Sequence, residues 1–494
     1  MKFQSHPPQK VLIIGSGIGG LSTGIILARQ GFEVTVLEKN HQPGGLTRSY
    51  TRAGIDCPVG VHYLGSLDKG QILRKFFDYL GVTATVPVEK MGQNGIIDRY
   101  IFGSHDDKIF DLPPGLEAYE KNLRQTFPGE AAKISEIIGP IRQAAGQLHS
   151  LDLLYADVND FSLLDQARSF GQILDDLQCS PGLRSVLAVP SSWIGVPLSD
   201  CPTFYHNMAL ASYVSSAWRL KGTGIDMVNA FARRLRELGG KIVTGVEIDR
   251  IMVSSRLVSG VGLKSGERLN ATLVIGAVHP KVVLNMLPPG AVRPSYQQRI
   301  SNLQDTHGVF AVQALIDSTS HPELPYNIFK LDTNRRGNIS DLQYYQIRKS
   351  SRKGVNLMSI LTSGRDELWV PWLRTTSGRR GDSYRQAKED YARHLVKKAE
   401  KLFGPLKGLK IIDTYTPLTI RDWVNSPGGS AYGVLRSTGQ MLASALLNRT
   451  SVKGLYLAGQ NTLAPGIIGT IMGSFSTVKL IMGPDRFKKN IDLI

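Results

Sequence analysis

Residues 11–20 read Val11-Leu12-Ile13-Ile14-Gly15-Ser16-Gly17-Ile18-Gly19-Gly20. The first four form a short apolar, β-branched run, as a buried parallel strand does. The spacing Gly15-x-Gly17-x-x-Gly20 then opens an apolar helix with Leu21, Ile25 and Ala28 on one face. Each glycine has its own duty. Gly15 permits the tight turn, Gly17 lets a diphosphate approach the backbone, and Gly20 packs helix on strand. The helix N-terminus points its free N–H groups at the phosphates. Gly31 ends the helix, Glu33–Leu37 forms the next strand, and Glu38 closes it. An acid about 20 residues beyond the glycines accepts both ribose hydroxyls of an adenosine and disfavours a 2′-phosphate. Strand, turn, helix and acid in this order predict a dinucleotide site. The competing reading is a Rossmann-like unit whose glycines serve packing alone.

The rest of the chain is compatible with such a unit. It has 494 residues, 42% of them hydrophobic, and 51 glycines. That composition is globular, and the length suggests two or three domains. Cys57, Cys179 and Cys201 are odd in number and far apart. They suit neither a disulfide framework nor a zinc site, and point to a reducing, cytoplasmic setting. Residues 11–28 are uncharged and follow Lys10. The five glycines, the marginal length and the missing cleavage pattern favour a buried strand and helix over a signal peptide or membrane anchor. Sequons at Asn270, Asn338 and Asn448 read as chance matches. No Ser/His/Asp or Cys/His spacing and no metal-ligand cluster stands out.

Directly after the acid comes Pro43-Gly44-Gly45-Leu46-Thr47-Arg48. Two glycines open the backbone to a second phosphate face, and Arg48 offers a fork of donors. With this segment the sequence resembles the FAD-dependent amine oxidase and phytoene desaturase superfamily. The resemblance implies FAD as cofactor, with Glu38, Gly44, Gly45 and Arg48 lining its site beside Gly15, Gly17 and Gly20. It also implies an α/β fold: a Rossmann-type, GR2-like FAD-binding domain with an inserted α+β cap that binds substrate. On that pattern residues 1–104, 220–294 and 406–494 form the discontinuous FAD-binding domain. Residues 105–219 and 295–405 are the substrate-binding, membrane-facing insertions.

Later segments extend the match. Lys221-Gly222-Thr223-Gly224 leads into an amphipathic helix, Met227–Leu238, stopped by Gly239-Gly240. Strands are expected at Lys241–Thr244, Val246–Ile251, Val258–Leu263 and Leu269–Gly276. By resemblance, Val246 meets the adenine through its backbone. Near the C-terminus, Gly454-Leu455-Tyr456-Leu457-Ala458-Gly459 is a strand ending in glycine. It precedes Gln460-Asn461 and Pro465-Gly466-Ile467-Ile468-Gly469. Family members carry an acid where Gln460 and Asn461 stand; an amide can still bond a ribityl hydroxyl. The following helix, with Ile468 in its first turn, points its N-terminus at the flavin, favouring the negative charge that reduction places on the ring.

Within the superfamily, Gly60-Val61-His62-Tyr63-Leu64-Gly65, Thr416-Pro417-Leu418-Thr419 and Pro427–Gly433 are similar to stretches of retinol saturases and carotenoid isomerases. The implied activity is FAD-dependent saturation, desaturation or isomerisation of the double bonds of a hydrophobic conjugated isoprenoid, a carotenoid or retinoid. His62, Tyr63 and Tyr432 are the catalytic candidates, as proton donors or as shapers of the flavin pocket. Two alternatives stand beside this. One is a flavin amine oxidase; the other is a non-enzymatic, prenyl-binding protein like the dissociation inhibitors of small GTPases. No second glycine fingerprint marks a nicotinamide site, so the external electron donor or acceptor is unidentified.

Net charge is +17, from 58 Lys/Arg against 41 Asp/Glu. Residues 331–410 hold 18 Lys/Arg against 8 Asp/Glu, a local excess of 10 that falls in an insertion. No nucleic-acid motif accompanies it. The expectation is a basic face toward anionic lipid, hence a peripheral membrane contact.

Overall fold

The strand Lys10–Ile14 is the middle of a five-stranded parallel sheet. Its order is Lys241–Thr244, Glu33–Glu38, Lys10–Ile14, Leu273–Gly276, Leu455–Leu457. The computed structural model describes residues 9–103, 108–155 and 168–493. The register aligns Thr244 with Glu38, Ile14 with Leu37 and Gly276, and Gly276 with Leu457. Parallel strands in register end at one edge, where open α/β sheets take ligands. Five segments far apart in sequence therefore emerge together.

The helix Ile18–Arg29 covers this sheet and is itself covered by the C-terminal helix Gly466–Met482. The contact is small-residue and polar: Ser22 Oγ lies 2.9 Å from Ser474 Oγ, which donates to Gly19 O at 3.0 Å. Around it lies one apolar core that includes Val11, Ile13, Leu21, Ile25, Phe76, Phe231 and Phe475. Among the described residues no single helix is long and apolar enough to cross a membrane. The uncharged N-terminal and C-terminal stretches are buried in this core instead.

The run read as one strand, Leu269–Gly276, is two. Arg268–Asn270 closes a three-stranded antiparallel sheet with Ile248–Ser254 and Leu257–Leu263, and Leu273–Gly276 joins the parallel sheet. The chain changes sheets at Ala271-Thr272, which an apolar pattern alone does not reveal. Val246 precedes the strand expected to contain it.

A seven-stranded mixed sheet forms the second body. Its order is Lys410–Tyr415, Val309–Asp317, Val355–Ser363, Ile339–Lys349, Asn327–Thr333, Asp98–Phe102, Lys108–Leu112. Alternating side chains build a different core on each face. Tyr344 packs with Phe329 toward the helices Ala131–Ser150, Pro181–Ser192 and Thr203–Ser215. Tyr345 packs toward the helix Gly381–Phe403. The sheet takes Asp98–Phe102 and Lys410–Tyr415 from segments that the sequence groups with the FAD-binding part. Pairing decides this: Asp98–Phe102 runs parallel to Asn327–Thr333, with Asp98 opposite Asn327. The expected border at residues 104 and 105 lies outside the described residues.

Candidate functional site

A cavity of about 960 Å³ opens along the C-terminal edge of the parallel sheet and continues beneath the seven-stranded sheet. Gly15, Gly17, Glu38, Gly44, Gly45, Arg48, Val246, Gly459, Gln460 and Asn461 line it, and so do His62, Tyr63 and Tyr432. Gly20 and Ile468 do not. Gly20 is buried one turn in, where an added Cβ would lie 2.0 Å from Gly15 O. At Ile468 the neighbours Ile467 and Thr470 reach the cavity instead.

The nucleotide end is built from backbone and short polar groups. A Cβ on Gly17 would meet no protein atom within 4 Å, so the space in front of it is open cleft. Gly17 pairs with Gly44 in an isolated parallel bridge, and Gly44 N–H donates to Ser16 O at 3.1 Å. The two glycine segments thus form one cradle. The helix Ile18–Arg29, starting at Gly17, has no side-chain cap and no acid in its first turn. The same holds for the helix Gly466–Met482. Both leave N-terminal N–H groups without side-chain partners, with Gly17 and Gly466 lining the cavity.

Glu38 is buried, and its carboxylate is held from two sides. Oε2 accepts from Ser16 N–H at 3.0 Å and Ser16 Oγ at 2.6 Å; Oε1 accepts from Asn40 N–H at 2.9 Å and Nδ2 at 2.8 Å. The two backbone donors fix the carboxylate, while the hydroxyl and the amide are rotatable and replaceable by ribose hydroxyls. Val246 N–H donates to Glu38 O at 2.8 Å, so any backbone contact from Val246 to a cofactor has to use its carbonyl. Arg48 is buried and its guanidinium pKa is lowered by desolvation. It donates to Gly45 O at 3.0 Å and Trp423 O at 2.6 Å, clamping the helix Pro417–Val424 to the cradle.

The two amides differ. Asn461 Oδ1 accepts from Val434 N–H at 2.9 Å, and Asn461 O accepts from Arg436 at 2.6 Å. Asn461 is thereby part of the scaffold. Gln460 lines the cavity and its side chain makes no hydrogen bond among the described residues. It has the free amide.

The far end is aromatic. The Tyr63 ring lies 4.6 Å from Tyr213 and 6.3 Å from Tyr344; His62 lies 5.4 Å from Tyr344; Trp193 lies 5.1 Å from Tyr213. Tyr432 leans on Gly195, where a Cβ would come within 2.6 Å of its ring. Among the described residues the hydroxyls of Tyr63 and Tyr432 have no hydrogen-bond partner. Burial raises the Tyr63 phenol well above its usual pKa, helped by the neighbouring Tyr432, Asp98 and Tyr344, and burial pushes Tyr432 up to about 12. Both stay protonated at neutral pH.

His62 is different. Both ring nitrogens are buried, and burial pushes the imidazole down to about 4, opposed by Gln346 and the Val59 backbone. An imidazole that is neutral at pH 7 has no ring proton to spare as an acid, although His62 lines the cavity. Its firmest tie is through the backbone: Gln346 Nε2 reaches His62 O at 3.4 Å.

That bond leads to a network that no sequence motif marks. Gln346 Nε2 donates to Asn327 Oδ1 at 3.1 Å, Tyr344 OH donates to the same oxygen at 2.9 Å, and Asn327 Nδ2 donates to Asp98 Oδ1 at 2.8 Å. Tyr213 OH donates to Asp98 Oδ1 at 3.0 Å, while Asp98 Oδ2 has no partner. Burial raises the Asp98 carboxyl to about 7, opposed by its bonds from Asn327 and Tyr213. The network fixes the rings that wall the chamber. Only strand register brings Asp98 to Asn327, which is why a linear reading passes over both.

The open cradle at Gly17, two uncapped helix ends and an unengaged Gln460 fit a dinucleotide with a flavin ring. Among the described residues no cluster of His, Cys, Asp and Glu suits a metal ion. Residues 18–475 match the family of flavin containing amine oxidoreductases. The all-trans-retinol 13,14-reductase of Macaca fascicularis is 23% identical, over 99% of this chain and 88% of its own length. The 4,4′-diapophytoene desaturase of Staphylococcus aureus is 24% identical, over 92% and 94%. A solved oxidoreductase from Methanosarcina mazei superposes with a TM-score of 0.69 at 13% identity, over 95% of this chain and all of that one. The cofactor is FAD, the protein is an oxidoreductase, and the chain belongs to the flavin containing amine oxidoreductase family.

Proposed function

We propose that this flavoenzyme acts on carbon–carbon double bonds of a hydrophobic conjugated isoprenoid, a carotenoid or retinoid, by saturation, desaturation or isomerisation. The observation that carries this reading is the continuity of the cavity from the nucleotide cradle into the chamber walled by Tyr63, Trp193, Tyr344 and Tyr432. A bound flavin supplies hydride exchange with a carbon held against its ring. The cradle of Gly17, Gly44 and Gly45 receives the diphosphate, Glu38 the ribose, and Gln460 the ribityl or ring edge. The aromatic walls orient a flat polyene and exclude water. Tyr63 and Tyr432 hold protons on hydroxyls that no group among the described residues engages, so they are the donors for a reacting carbon. His62 shapes the wall. Support also comes from the retinol reductase and diapophytoene desaturase relatives, whose names specify such substrates. The protein works in the cytoplasm, against a membrane that holds its substrate.

Anaerobic incubation of the purified flavoprotein with retinoids, carotenes and unsaturated lipids tests the reading, with flavin absorbance and product mass as readouts. A polyene should change the flavin spectrum and its own mass or retention. Bleaching by primary amines with no response to any polyene would establish the amine oxidase reading instead.

A further inference from the structure

The segment Asp366–Trp372 and its continuation to Leu373 turn alternate side chains in opposite directions. Inward, Trp369 is 1% exposed, stacks on Phe310 at 5.6 Å and donates its indole N–H to Gly364 O at 2.6 Å. Trp372 packs 5.4 Å from Tyr384. Outward, Leu368, Val370 and Leu373 are 44%, 56% and 46% exposed. Arg421 bonds Leu373 O and Thr375 O, and Arg380 pairs with Asp422, so the segment is tied to the neighbouring helix. That helix contributes Trp423, itself half exposed. Scattered apolar side chains on a surface need no explanation, but three within six residues, held outward by the buried Trp369 and half-buried Trp372 and flanked by an exposed indole, form a patch.

Charge surrounds it. Arg365, Arg374 and Arg379 are exposed, and Arg374 and Arg379 make no ion pair among the described residues. The local acids are engaged: Asp366 accepts from Gly308 N–H at 3.4 Å, and Glu367 lies 3.9 Å from Arg365. Arg365, Glu367 and Trp423 also line the large cavity, so the cavity reaches the surface beside the patch. An indole and aliphatic side chains beside unpaired arginines match the interface of an anionic bilayer, where the apolar groups enter the headgroup boundary and the guanidinium groups meet lipid phosphates. A second copy of the chain fits poorly. A two-fold contact would set two copies of the same arginine-flanked patch against each other.

We propose that Leu368, Val370 and Leu373, with the arginines beside them, dock the protein on an anionic lipid surface and set the cavity's opening against the bilayer. This rests on the lipid-like substrate reading only for its purpose, since docking is measured without substrate.

The test is co-sedimentation of the full flavoprotein with vesicles of phosphatidylcholine alone or with added phosphatidylserine, at low and high salt. Wild type should partition to the serine-containing vesicles, and salt should weaken it. The variant Leu368→Ser/Val370→Ser/Leu373→Ser should bind about tenfold or more weakly, with unchanged thermal midpoint and flavin absorbance. Arg374→Glu/Arg379→Glu should lose the preference for anionic vesicles. Wild type left in the supernatant of every vesicle, or both variants bound like wild type, would overturn the proposal. So would a concentration-dependent dimer abolished by the serine variant, since a second copy would then cover the patch. A protein that docks but converts no polyene overturns the functional reading and leaves the docking surface standing.

Discussion

Gly19 and Gly459 pack so closely that a Cβ on Gly19 would lie 2.6 Å from Gly459 Cα. One begins the helix behind the N-terminal strand and the other ends the C-terminal strand. The contact joins the two ends of the cofactor cradle and makes the distance between them a property of backbone packing.

Gly19→Ala should therefore act at the seam. The new methyl meets backbone, which cannot rotate away, and overpacking of this kind costs about 1–3 kcal/mol. A lowered thermal midpoint together with weakened flavin retention is expected. An unchanged midpoint would show that the helix and the end of the C-terminal strand can move apart freely.

Gly17 and Gly20 should separate binding from folding. Gly17→Val places its side chain in open cleft, so the protein should fold with a near-normal midpoint and carry no flavin absorbance. Gly20→Ala places a methyl 2.0 Å from Gly15 O and should impair folding itself. Circular dichroism and the visible spectrum of the purified variants check both.

Gln460 and Asn461 should differ in the same way. Gln460→Leu removes no protein hydrogen bond, so stability should hold while flavin affinity falls. Asn461→Leu leaves the buried Val434 N–H unpaired, a loss of about 1–3 kcal/mol. Urea midpoints and flavin titration of the apoprotein distinguish the two.

Asp98 should make stability depend on pH. Its carboxyl is raised in the fold from 3.8 to about 7. Well below pH 3.8 it is protonated in both states and has no effect. As pH rises from 4 to 7 the unfolded chain releases its proton before the folded one does, so stability falls, by roughly 4 kcal/mol at most. Asp98→Asn keeps an oxygen for Tyr213 and Asn327 and cannot ionise. Its urea midpoint should decline less than that of wild type between pH 5 and pH 8; parallel declines would remove Asp98 as the cause.

The nucleotide half was legible in the sequence because its determinants are local. A strand, a glycine turn and an acid are read within forty residues, and the second glycine pair follows at once. The aromatic half was legible only in part. Tyr63 and Tyr432 stand in segments resembling the saturase branch, and the structure puts both on one chamber. His62, equally prominent in that motif, lines the same cavity with its imidazole pushed down to about 4 by burial, and a sequence does not state burial. The Asp98 network was invisible, since its members come from three strands and a helix with no common spacing.

Taken alone, the chain determines its parallel sheet, its glycine cradle and the acid beside it, because backbone sterics and strand periodicity are short-range. Tertiary structure decides which amide is free, which phenols face the chamber and where apolar side chains are forced outward. Those depend on register between distant strands and on which neighbours a folded chain leaves no room to avoid.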